Sequence, residues 1–162
     1  MGKRGKGIGL GSLLSGLFMA AAAAAADDCR ANQVQLRGDW GTARFTVDVA
    51  DTAETRAQGL MHVETMPRSK GMLFVYPFPR EVGFWMKNTL IPLDMLFVDE
   101  TGTVIKVHEN AIPHDLRPVM SDGATLVVLE VNGGLAGQMG ITPGSEMRHP
   151  AFDPDKAAWP CN

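Results

Sequence analysis

Beyond residue 26 the apolar residues of this chain come only in short runs bounded by Gly, Pro, Asp and Asn, a pattern that short strands satisfy and long helices do not. Val34 to Leu36 and Arg44 to Val49 flank Gly38-Asp39-Trp40-Gly41, which reads as strand, turn, strand. Phe45, Val47 and Val49 alternate with Arg44, Thr46 and Asp48, so one face of that strand is apolar and the other polar. Further strands are predicted at Met72–Tyr76, Val82–Met86, Asp94–Val98, Val104–His108 and Leu126–Val131, with a last short one at Glu146–Arg148. Turn chemistry separates them at Pro77-Phe78-Pro79, Asp99 to Gly102, Pro113 to Pro118 and Gly133-Gly134. Thr52 to Gly59 carries an N-cap threonine and a terminal glycine, the marks of a short helix, and Leu135 to Met139 reads as a second. The predicted fold is mainly β: one small β-barrel-like domain of about seven short strands with one or two short helices.

The first 26 residues differ in kind. Lys3, Arg4 and Lys6 form a basic start, an uncharged stretch from Gly7 to Ala26 follows, and Ala24-Ala25-Ala26 supplies a small-residue cleavage end. This is the pattern of a cleavable secretory signal, with residues 27–162 as the exported domain. A retained membrane anchor fits less well, because the strongly apolar part is short and rich in Gly, Ala and Ser. The expected address is the periplasm, or the exterior of a cell without one.

Removing the leader takes Lys+Arg from 15 to 12 against 18 Asp+Glu, a formal charge of 12 − 18 = −6. An acidic domain has no electrostatic footprint for nucleic acid or anionic membrane, so the expected partner is a small ligand or a protein, and the expected state is a monomer without cofactor. Cys29 and Cys161 are the two cysteines, one at each end of the exported chain. In an oxidising compartment they have one possible pairing, a clasp across the whole fold.

Gly59-Leu60-Met61, Gly71-Met72-Leu73-Phe74 and Trp85-Met86-Lys87-Asn88-Thr89 with Pro92-Leu93-Asp94 stand out from the background. Together with Asp99–Gly102, Val128–Gly134 and Gly144, they resemble the bacterial and archaeal family known as domain of unknown function 192. The resemblance covers about residues 45–147. It implies a compact β-barrel fold and frequent export, with no established activity.

The residues themselves nominate sites. Period-2 alternation puts Trp85 and Lys87 on one face of their strand and Phe84 and Met86 on the other. Lys87 and Asp94 bracket an apolar connection and are placed to meet across its mouth, with Asn88 and Thr89 beside them. An equal alternative is that this pair is a salt bridge stapling the loop. Glu130 interrupts a strand that is otherwise apolar on both faces, so it needs a cation, hydrogen-bond donors or a proton. Lys87, Arg56 and Arg148 are candidate partners.

From these the expected ligand-binding set is Met61, Trp85, Lys87, Asn88, Thr89 and Asp94. An enzyme would use Lys87 with Asp94 or Glu130 in hydrolase or lyase chemistry. A weaker alternative is a copper(I) accessory protein using Met61 and His62, although the methionines are scattered in strand positions that favour core packing. The chain has no P-loop, no G-x-S-x-G elbow and no C-x-x-C.

Overall fold

The computed structural model describes residues 1–2 and 29–161; the expected leader, apart from its first two residues, lies outside those described. In chain order the elements are β1 (Gln33–Gly38), β2 (Gly41–Ala50), α1 (Ala53–Gln58), β3 (Lys70–Arg80), β4 (Gly83–Phe84), β5 (Leu93–Val98), β6 (Val104–Ala111), β7 (Val119–Met120), β8 (Thr125–Asn132), α2 (Leu135–Met139) and β9 (Glu146–Arg148). The fold is mainly β, as expected, with nine strands among the described residues rather than about seven.

Seven strands form one sheet in the order β6-β5-β8-β3-β2-β1-β9, and β4 pairs separately with β7. The large sheet curls into a half-barrel whose two ends meet where Thr103, just ahead of β6, bridges Glu146 of β9. Val104 N–H donates to the Ser145 carbonyl at 2.8 Å, and Met147 N–H to the Gly102 carbonyl at 2.7 Å. These bonds cover both edges of the sheet near their meeting point. Neighbouring strands are antiparallel except β2 and β3, which are parallel and joined through α1.

The helix starts where the sequence predicts. Thr52 caps α1 by accepting from Thr55 N–H, the Thr55 hydroxyl oxygen accepts from Thr52 N–H, and Gly59 closes the helix with positive φ. The prolines at 77 and 79 do not end their strand, contrary to their reading as a turn. They fall in the register shift between Val75 and Arg80, where no ladder hydrogen bond is required of them.

Because β5 is buried on both faces, it divides two apolar clusters. One face of the sheet gathers Leu36, Phe45, Leu73, Leu96, Leu129, Val131 and α2. The opposite face gathers Leu60, Phe74, Phe84, Met86, Met95, Phe97 and Val128 beneath the turn after α1 and the β4 segment. Gly71 lets β3 and β8 run close together; a Cβ there would sit 2.6 Å from the Glu130 carbonyl oxygen.

Cys29 and Cys161 are disulfide-bonded, as expected from their number and placement, with Cα atoms 5.7 Å apart and a sequence separation of 132. The tail they anchor also docks through Ala158 N–H to the Thr101 carbonyl and places Trp159 under the Arg37 guanidinium at 4.5 Å. Reduction of this bond, measured by urea unfolding with and without reductant, is expected to remove about 2–4 kcal/mol while leaving the β circular-dichroism signature in place.

Candidate functional site

On the second face, α1 and its following turn stand over the ends of β3 and β4 and leave a cleft of about 340 Å³. Its floor is Glu130; its walls include Met61, Tyr76, Phe84 and Trp85, and its cations are Arg56, Arg80 and Lys87. The helix contributes Arg56, whose Nη1 donates to the Asp51 carbonyl at 2.6 Å and the Val75 carbonyl at 2.8 Å. That fixes one guanidinium 5.0 Å from the Tyr76 ring centre, while Arg80 lies 5.1 Å from the same centre. Lys87 lies 5.2 Å from the centre of the Trp85 ring. Charge and flat aromatic surface are therefore adjacent on both sides of the cleft.

Glu130 belongs to this face because of register. It stands opposite Met72 on β3 and Met95 on β5, so its side chain shares their face. Only 4% of the residue is exposed, and among the described residues its carboxyl group has neither a hydrogen-bond donor nor an ion-pair partner. Burial pushes its pKa up to about 8, so at neutral pH the group is mostly protonated. Tyr76 is raised as well, by burial first, with Arg56 and Arg80 acting in the opposite direction.

Asp94 is elsewhere. It pairs in register with Val131, one residue along from Glu130, so it points to the opposite face of the sheet. It is fully buried; Oδ1 accepts from Asn110 N–H and Gly134 N–H at 2.8 Å, and Oδ2 from Ala136 N–H at 2.7 Å. Gly134 is the N-cap of α2 and has no side chain to cap it, so Asp94 performs that task from a neighbouring strand. The expected meeting of Lys87 with Asp94 is thus corrected: no ion pair joins them, and Asp94 is no wall of the cleft.

The remaining expected residues divide. Met61, Trp85, Lys87 and Thr89 line the cleft with Glu130. Trp85 is 51% exposed while Phe84 and Met86 are buried, which is the alternation read from the sequence. Asn88 sits at its edge in a left-handed conformation, with Nδ2 3.9 Å from the Met61 Sδ and its carbonyl accepting from His62 N–H at 2.8 Å. His62 is exposed, and among the described residues no three His, Cys, Asp or Glu side chains gather as a metal site would require. Tyr76 and Arg80 were absent from the expected set. The spacing of Met72, Phe74 and Tyr76 puts all three on one face of β3, but a sequence does not reveal that Glu130 stands opposite Met72.

Two other depressions are less suited to ligand chemistry. The larger, about 930 Å³, is an open basin around Trp40 and Pro143 in which Arg37 is paired with Glu146. The other lies along β6, where Lys106 pairs with Asp122 and Arg117 with Asp115. Among the described residues neither contains an unpartnered buried charge.

Fold and site together define a mainly β, disulfide-clasped half-barrel with one lateral cleft floored by a buried glutamate. Residues 34–149 match the family model described as "Uncharacterized ACR", domain of unknown function 192, and the chain belongs to that family. A crystal structure of a protein of unknown function from Novosphingobium aromaticivorans is similar, with 40% identity and a TM-score of 0.70, over 71% of this chain and 82% of that one. A proposed transcription regulator from Sinorhizobium meliloti is also similar, with 37% identity and a TM-score of 0.73, over 77% of this chain and 98% of that one. No curated protein matches.

Proposed function

We propose that the protein acts outside the cytoplasm and binds a small polar ligand in the cleft floored by Glu130. The observation that carries this reading is a glutamate 4% exposed whose carboxyl group has no hydrogen-bond or ion-pair partner among the described residues, set where a solvent-reachable cleft meets the sheet. The group faces the cleft, so a ligand can hydrogen-bond it there without opening the closed interior. The cleft volume of about 340 Å³ is at the small end for ligand sites. The basic leader sequence and the Cys29–Cys161 bond support export. No helix among the described residues is long and apolar enough to cross a membrane.

Screening a library of small polar compounds by amide NMR of the purified, disulfide-bonded protein tests the proposal. A binder is expected to shift resonances of Leu60, Met61, Tyr76 and Thr89 and to lose affinity in Glu130→Ala. Silence of those resonances across the library at millimolar concentration would count against a ligand site there.

The raised pKa of Glu130 also favours a second reading, in which the same carboxyl group transfers a proton to or from the bound molecule. Glu130→Gln separates the two, because a proton-transfer role predicts retained binding with lost turnover.

A further inference from the structure

Five surface cations pair with carboxylates: Arg37 with Glu146, Lys70 with Asp48, Lys106 with Asp122, Arg117 with Asp115 and Lys156 with Glu100. The cleft departs from this habit. Arg56 is held by two backbone carbonyls, and Arg80 and Lys87 lie over aromatic rings; among the described residues none of the three has a carboxylate partner. Glu130 is the one acidic residue lining the cleft, and Glu54 and Glu81 do not line it. A chain of net charge −3 thus concentrates unneutralised positive charge around one small opening.

The shape of that charge is informative. Arg56 and Arg80 both approach the Tyr76 ring, and Lys87 approaches the ring of an exposed tryptophan. Flat apolar surface is available between cationic groups, and Met61 and Phe84 add further apolar wall. A free carboxylate or phosphate would meet the charge and leave this surface bare. A neutral ring would cover the surface and leave the cations unanswered. At the floor, Glu130 has no donor or acceptor partner among the described residues, so a ligand edge that reaches it finds a hydrogen-bonding group.

Building on the reading of the cleft as a ligand site, we infer that its ligand is a small organic anion with a flat apolar body: the charged group seats among Arg56, Arg80 and Lys87, and the body lies against Trp85 and Met61. This names the chemical class that the preceding proposal leaves open.

Benzoate and benzamide test it, because they share a ring and differ chiefly in charge. In amide and indole NMR titrations of the full disulfide-bonded protein at pH 7, benzoate is expected to shift the Trp85 indole, Tyr76 and Thr89 resonances. Benzamide is expected to bind at least tenfold more weakly, and phenyl phosphate to compete with benzoate. Arg80→Gln and Lys87→Gln, both exposed positions where folding is secure, are each expected to weaken benzoate severalfold. Together they are expected to remove the preference over benzamide. Equal affinity for benzoate and benzamide would overturn the inference and leave the cleft a ligand site for neutral molecules. Cleft binding by other library compounds, with none by either ring probe, would overturn the flat-body inference alone. If no library compound or probe perturbs the cleft, both proposals fall.

Discussion

Replacing Asp94 by alanine is expected to destabilise the protein by about 3–6 kcal/mol, without touching the cleft. The substitution strips the acceptor from Asn110 N–H, Gly134 N–H and Ala136 N–H, all 2.7–2.8 Å from the carboxyl oxygens. The Ala136 bond is buried and the other two are part-buried, so each donor left unsatisfied costs up to about 1–3 kcal/mol and water entering the truncated site recovers part. Native domains hold only about 5–15 kcal/mol, so the loss is a large share of the whole. Asp94→Asn keeps one oxygen for two of the donors and turns an amide toward one of them or their neighbour, so its cost is expected to be about half. Urea unfolding reads both. A loss below about 1 kcal/mol for the alanine variant would show that α2 does not depend on this cap, and would reopen a ligand role for Asp94.

Glu130→Gln is expected to act in the other direction, and its effect depends on pH. In the unfolded chain a glutamate carboxyl loses its proton near 4.5, whereas in the folded protein it keeps it until about 8. Between those values the folded state holds the extra proton. Stability therefore falls as pH rises from about 4.5 to about 8, and this group adds no further change above that. At about 1.36 kcal/mol per pH unit, the total is up to roughly 4–5 kcal/mol. Tyr76, Arg56 and Arg80 face the same site, and Met72 and Met95 flank it on the adjoining strands. Glutamine abolishes the titration, so wild type and variant are expected to be close in stability at pH 5, with the variant several kcal/mol more stable at pH 9. A difference that stays constant across that range would contradict a protonated Glu130.

These two carboxyls also mark where the sequence is legible. Both are recognisable from the sequence as charges within apolar strands, and both prove buried. Their faces are not legible, because a one-residue change in the β5–β8 register would pair them directly and put both on one face. That register pairs Met95 with Glu130 and Asp94 with Val131, and it depends on tertiary packing. Local signals fared better. The Phe45, Val47 and Val49 alternation, the Thr52 cap and the span of α2 are each written in adjacent residues. β7 escaped notice because its two residues pair with β4 across the chain, in a hairpin-like contact supported by Ser121, whose hydroxyl accepts from Val82 N–H at 3.0 Å. At the cleft, Trp85, Lys87, Thr89 and Met61 were readable as unusual residues in a family motif. Tyr76 and Arg80 became relevant only when a strand running through two prolines carried them to the same opening.

The central claim is that a neutral glutamate, without a hydrogen-bond or ion-pair partner among the described residues, floors a ligand-accessible cleft. Carbon-13 NMR of the Glu130 side-chain carboxyl, followed from pH 4 to pH 10, tests it most directly. A midpoint near 8 is expected, together with a change in that resonance when a cleft ligand is added. A midpoint at the ordinary glutamate value near 4.5, with no response to ligand, would contradict the account.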